Sequence, residues 1–185
     1  MEKRMPAPRS DKRIIVQRGT RFIGDWIGRT FFYSFDSPDL KKDYPWAERF
    51  VMGLPLYPGQ RDLKWTEQME QEFLEDAWNG QDLPPILMAE KDLEINPKTG
   101  GYNLNAESVV DGQQRLNTLE RYLRNEITLF GMYFKDLNES ERRHFHKIQM
   151  DVEIIFSNKK KDIDKIYNMR NFAGVPHEES ERIKQ

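Results

Sequence analysis

The chain contains no cysteine, which excludes disulfide scaffolds, thiolate zinc sites and cysteine nucleophiles, and fits a reducing compartment. No apolar run approaches the roughly 20 residues that a membrane-spanning helix needs. The opening MEKRMPAPRSDKR is charged, contains proline and leads into no apolar h-region, so it does not read as a secretory signal. The expectation is a cytoplasmic protein with no membrane partner. An excess of charge of either sign is also missing, since 29 Lys and Arg face 31 Asp and Glu for a net −2. That argues against a wholesale basic nucleic-acid binder. What is present is aromatic weight: 12% Phe, Trp and Tyr is too much for a chain that stays disordered, and 185 residues suit one domain.

The balanced total hides an asymmetry. Residues 1–30 carry eight Lys and Arg against three Asp and Glu, or +5, which leaves −7 for the rest. The reading is a basic N-terminal arm or extension over 1–30 and a domain over 31–185. Such an arm either lies on phosphates or is a solvated terminus.

Along the chain, RIIVQ (13–17) and FFYSF (31–35) read as short strands separated by a glycine-containing stretch. Residues 36–50, with Pro38 and Pro45, read as loop with one helical turn. GLPLYPGQRDLKW then reads as a strand entering a constrained loop marked by Pro58 and Gly59. TEQMEQEFLEDAWNG predicts a helix with Thr66 as N-cap, Met69, Phe73, Ala77 and Trp78 on one face, and Gly80 just past its end. ILMAE (86–90) is a compact apolar strand, and ITLFGMYF reads as a hairpin-like strand pair around Gly131. Asn138 with Glu141 gives a capping-box start to a further helix. DVEIIF (151–156) is a strand, and DIDKIYNMRNF is a helix with Ile163, Ile166 and Tyr167 inward.

The chemistry concentrates in ESVVDGQQRLNTLERYLRNE, a strand, a tight turn and a helix with Leu116, Leu119 and Leu123 on one face. Asp111, Gly112, Gln113, Gln114 and Arg115 stand at the turn, where unpaired backbone N–H groups and the positive end of the helix dipole make an anion site. Gly112 lets a phosphate approach the backbone and tolerates positive φ. Arg115 offers a bidentate fork to phosphate oxygens. Asp111 can hold Mg2+ through one oxygen or orient an attacking water or hydroxyl. Gln113 and Gln114 can bond a base edge, a ribose or water. The same residues also fit a plain Asp-Gly turn in which Asp111 pairs with Arg115 across the first helical turn.

VVDGQQRLNTLERYL closely resembles the DGQQR motif of the N-terminal domain shared by GmrSD-type restriction enzymes and SspE-type phage-defence NTPases, a branch of the ParB/sulfiredoxin-like superfamily. GLPLYPGQRDLKW resembles that family's upstream stretch, here with Gln60, Arg61 and Trp65. VEIIFSNKKKDIDKIYNMRNFAGVP resembles its downstream strand, helix and turn, here with Asn171 and Gly174. The resemblance spans roughly residues 50–180. In two places the chain departs from the pattern: Pro58 and Gly59 precede Gln60 where an aromatic is usual, and His177 follows the proline where an apolar residue is usual.

The resemblance implies a single α/β (α+β) domain with a small mixed sheet flanked by helices. It also implies an NTP ligand with Mg2+, DNA as a partner and a role in phage–host conflict or DNA processing. Asp111, Gln113 and Arg115 would be catalytic, with Asp111 on the metal. Gln60, Arg61, Gly112, Gln114, Asn171 and Gly174 would bind nucleotide and phosphate, and Trp65 would stack on the base. Hydrolysis, phosphoryl transfer to a hydroxyl, DNA nicking and nucleotide sensing without turnover all remain open for such a site.

The other residues read more plainly. His144 and His146 are two apart on a helix and face different sides, and His177 stands alone. No autonomous HNH nuclease site is visible, which implies a separate nuclease or effector protein as partner. Trp26, Trp46, Trp78 and Tyr57 read as core, and Lys159 to Lys161 as a solvated turn.

Overall fold

The computed structural model describes residues 14–27, 38–90, 95–103, 107–157 and 159–172. The FFYSF run, Gly174 and His177 lie outside the described residues. The chain runs β1 (Ile15–Phe22), a helical turn α1 (residues 23–27), α2 (Pro38–Asp43), the short β2 (Phe50–Val51) and β3 (Leu54–Pro55), α3 (Glu67–Trp78) and β4 (Ile86–Glu90). It continues with β5 (Glu107–Asp111), α4 (Gln113–Leu123), a 3-10 turn (Phe134–Asp136), α5 (Glu139–His146), β6 (Gln149–Phe156) and α6 (Lys160–Phe172).

Four strands form one mixed sheet in the order β1-β6-β4-β5. β4 runs parallel to β6 and antiparallel to β5, while β1 lies antiparallel to β6 from Ile15 opposite Phe156 to Phe22 opposite Gln149. The unbroken apolar run of β4 reflects burial on both faces: Ile86, Leu87, Met88 and Ala89 are each inaccessible to solvent. Ile86 and Met88 join the larger core with Phe73 and Leu74 of α3, Leu116, Leu119 and Tyr122 of α4, Phe145 of α5, and Ile23, Trp26 and Ile27 of α1. Leu87 and Ala89 point to the opposite face, where Tyr57, Val110, Ile155 and the α6 residues Ile163 and Tyr167 cover them. The molecule is thus a mixed α/β domain with helices on both faces of the sheet.

Local signals account for the ends of these elements. The Thr66 hydroxyl accepts from the Met69 amide at 3.3 Å, and Gly80 follows α3 with φ of +70°. Asn138 and Glu141 form a reciprocal capping box on α5. One expectation is corrected. The strand pair around Gly131 is reduced to a single bridge between Leu129 and Met132, followed by the 3-10 turn. Phe130 and Gly131 both take positive φ, which reverses the chain in two residues. Phe134 then turns inward, with ring centroids 5.8 Å from Tyr122 and 5.6 Å from Phe145, so the core and not a second strand captures this segment.

β1 falls within the stretch set apart by charge. Among the described residues that stretch supplies an edge strand and three core side chains. No helix among the described residues is long and apolar enough to cross a membrane.

Candidate functional site

β5 ends at Asp111 and α4 begins at Gln113, so the chain reverses at Gly112 alone. Gly112 has φ of +103°, and a Cβ there would meet Ile86 Cδ1 at 2.5 Å and Arg115 Nη2 at 3.2 Å. Only glycine satisfies both the backbone and the space. α4 has no side-chain cap at its N-terminus, and its first turn lines a cleft of about 410 Å3, leaving uncapped amides and the positive end of the helix dipole beside the opening.

The cleft gathers Gln60, Arg61, Trp65, Asp111, Gly112, Gln113, Gln114, Arg115 and Asn171. These residues come from three distant stretches of sequence, and together they are every described residue singled out for nucleotide, phosphate or catalysis.

Their engagements differ. Asp111 Oδ1 accepts from the Gly112 amide at 2.8 Å, while Oδ2 lies 3.9 Å from Arg115 Nη2; the side chain is 36% exposed. The carboxylate thus reaches the mouth of the cleft with Oδ1 held by the backbone and Oδ2 in a long ion pair. Arg115 is buried. Its Nη1 donates to the carbonyls of Pro84 and, at 3.3 Å, Pro85, and Nη2 stays beside Gly112 and Asp111. Burial lowers the affinity of this guanidinium for its proton, the Asp111 carboxylate partly restores it, and Arg170 lowers it further. The ion pair that a plain Asp-Gly turn predicts is thus present, and it sits inside the cleft.

The glutamines hold a loop. Gln60 Nε2 donates to the Val109 carbonyl, and Gln113 Nε2 to the Arg61 carbonyl at 2.6 Å. Gln114 Nε2 donates to the Asp62 carbonyl at 3.2 Å, while its Oε1 accepts from the Lys64 and Trp65 amides at 3.2 and 3.3 Å. Gln113 Oε1 is buried without a partner. Segment 60–65 is thereby tied against the first turn of α4, with Arg61 exposed and Trp65 packed against Phe73 at a centroid distance of 5.6 Å. At the far wall Asn171 Nδ2 donates to the Tyr167 carbonyl at 3.0 Å.

Sequence reasoning missed two contributors. Arg49 Nη2 donates to the carbonyls of Gln60 at 2.6 Å and Arg61 at 3.2 Å, clamping the loop from outside; no spacing signal marks it. Met69, Glu72, Phe73 and Asp76 form the α3 wall of the cleft. Met69 and Phe73 belong to the apolar face that the sequence predicts for this helix, whereas Glu72 and Asp76, at helical spacing beside them, carry no signal that sets them apart from other surface carboxylates.

The remaining candidates lie elsewhere. His144 packs on Trp78 at 4.4 Å and His146 stacks on Phe134 at 6.4 Å, both exposed. Tyr57 is buried and donates to Asp164 Oδ1 at 3.0 Å, so it belongs to the core. Trp26 is buried, while Trp46 and Trp78 are half-buried outside the cleft. Lys160 reaches Asp164 at 2.8 Å in the first turn of α6. Among the described residues no three His, Asp or Glu side chains converge as a metal cage. The donor set suits a magnesium ion only as a single carboxylate anchor, Asp111, with phosphate and water completing the coordination.

A family model described as the GmrSD restriction endonuclease, N-terminal domain, matches residues 53–185. No curated protein and no solved structure matches the chain. The family match covers most of the chain and includes the β5–α4 turn, the loop ahead of α3 and α6. The chain belongs to this family, whose setting is restriction and DNA processing.

Proposed function

We propose, with that membership as the premise, that this domain binds a nucleoside triphosphate with Mg2+ at the β5–α4 turn and hydrolyses it in concert with DNA and a nuclease or effector. The observation that carries the reading is the convergence of nine residues from three separate stretches on one cleft at an uncapped helix N-terminus. In this reading the α4 amides and Arg61 receive the phosphates. Asp111 anchors the metal through Oδ2 or orients the attacking water. Arg115 Nη2 supports the charge on the transferring group, and Trp65 lies against the base. Gln60, Gln113 and Gln114 act by holding the loop that carries Arg61 and Trp65.

A second reading, a nucleotide-sensing regulator without turnover, is favoured by one observation. Gln113 and Gln114 side-chain amides and Arg115 Nη1 are committed to backbone carbonyls, and Asp111 is engaged by the Gly112 amide and Arg115, so the groups that catalysis would use are already partnered within the protein.

Product chromatography separates the readings. The protein and an Asp111→Ala variant are incubated with each NTP and magnesium, with and without modified DNA. Phosphate or diphosphate release that disappears in the variant supports hydrolysis. Label transferred to a hydroxyl makes the domain a kinase, binding without product makes it a sensor, and cutting of plasmid without NTP makes it a nickase.

A further inference from the structure

The chain reversal at Phe130 and Gly131 carries large apolar side chains that the domain itself leaves uncovered. Phe130, Met132 and Tyr133 are 52%, 36% and 38% exposed, all within four residues. Reciprocal backbone bonds of 2.9 Å between Leu129 and Met132 close a two-residue turn in which Phe130 has φ of +49° and Gly131 of +76°. Positive φ at both central positions is the type I′ pattern, which favours Asn-Gly. A bulky aromatic at the first of them is strained, and its exposure withholds the burial that would offset the strain. The turn nonetheless has a firm base. Leu129 is buried, Phe134 packs on Tyr122 and Phe145, and the Lys135 amide donates to Asn125 Oδ1 at 2.7 Å. A Cβ built at Gly131 meets nothing within 4 Å, so the tip stands in open space.

Charge at the base of the turn points to what covers it. Lys135 Nζ lies 5.4 Å over the Tyr133 ring and the Arg142 guanidinium 5.7 Å over Phe134, with Arg142 Nη2 also donating to the Lys135 carbonyl at 2.7 Å. Neither cation has a carboxylate partner among the described residues. Within 126–142 Glu126 pairs with Arg121, Glu139 with Arg143, and Glu141 caps α5, which leaves Asp136 as the one remaining carboxylate beside two unpaired cations. Resting on the DNA part of the proposed function, we infer that this turn is a wedge for the minor groove of duplex DNA. Phe130 and Met132 insert between base pairs, and Lys135 and Arg142 take the flanking phosphates. Unstacked bases supply the apolar contact that the exposed rings lack, and phosphates suit cations held clear of protein carboxylates. An apolar protein surface would cover the rings but would bury both cations unpaired. Unstacking costs least at pyrimidine–purine steps, which are the expected sites. α4, 11 residues and about 16 Å long, separates the tip from the cleft at its N-terminus, so DNA held here leaves the β5–α4 turn open to its own ligand.

The test is titration of the full chain, with and without NTP and magnesium, into plain and modified-base duplexes carrying 2-aminopurine beside a TA step. Anisotropy reads affinity at several salt concentrations, and 2-aminopurine emission rises when the base unstacks. The parent chain should bind with a rise in emission. Replacing both tip residues, Phe130→Ala with Met132→Ala, should weaken binding about tenfold and abolish the rise while leaving the salt dependence unchanged. Lys135→Ala with Arg142→Ala should reduce the slope of log affinity against log salt by about two. Phe130→Asn gives the turn the Asn-Gly pair it favours, so Tm should rise by about 2–4 °C while the emission rise is lost; this variant separates loss of the ring from loss of the fold. Duplex binding that is equal in parent and tip variants, or that leaves 2-aminopurine stacked, would overturn the wedge and leave the DNA part of the proposed function intact. No binding to any duplex would overturn both.

Discussion

Gly112 is the residue on which the site's geometry turns. Its φ of +103° and the 2.5 Å separation between a notional Cβ and Ile86 Cδ1 mean that Gly112→Ala combines backbone strain with overpacking. The expected loss is about 2–4 kcal/mol, read by urea denaturation. A second residue tests the core. The Tyr122 hydroxyl is buried without a partner. Burial, then the Glu141 and Asp136 charges, push its pKa from 10.0 up to about 12. The protonated form is therefore favoured in the folded state. Its contribution is fully present below pH 10 and is lost as pH rises toward about 12. Tyr122→Phe should leave stability at pH 7 within about 1 kcal/mol of the parent, since no hydrogen bond is broken. It should also remove part of the decline between about pH 10 and 12, as alkaline thermal melts would show.

At the scale of elements, the site depends on a loop held by side chains. Gln114 spans the Asp62 carbonyl and the Lys64 and Trp65 amides, so Gln114→Ala releases three bonds at once. Stability should fall by about 2–3 kcal/mol, and nucleotide affinity by about tenfold or more, because Arg61 and Trp65 ride on that loop. Asn138→Ala is the contrasting case. Loss of the α5 capping box should cost about 1 kcal/mol in denaturant melts and leave affinity unchanged. The contrast also shows what the sequence made legible. Thr66, Gly80, Asn138 with Glu141 and the leucine spacing of α4 act within a few residues of themselves, so their signals are local. The tie between segment 60–65 and α4 runs from side-chain amides to backbone groups about 50 residues away and leaves no periodicity, so in the sequence alone these glutamines look like ligand contacts. The segment at Gly131 failed for a related reason: Phe134 has strand propensity, but its partners are Tyr122 and Phe145.

On the scale of the whole molecule, the family match begins at residue 53, whereas the sheet begins at Ile15. β1 covers all eight residues of β6, and Ile23, Trp26 and Ile27 fill the larger core. A chain trimmed to 53–185 should expose the β6 edge and empty part of that core, and in thermal melts of the two chains only the full chain is expected to unfold cooperatively. Charge and composition did not reveal this, because a basic run gives no sign of what it pairs with across the sheet. The central strand, by contrast, was readable from four consecutive apolar residues.

The account's central claim is that the β5–α4 turn receives the phosphates of a nucleotide. The most direct measurement is the crystal structure of the full chain soaked with a non-hydrolysable triphosphate and magnesium. The account predicts phosphate oxygens within hydrogen-bond distance of the α4 first-turn amides and the Arg61 guanidinium, with the metal on Asp111 Oδ2. A nucleotide seated elsewhere, or phosphates turned away from Gly112, would contradict it.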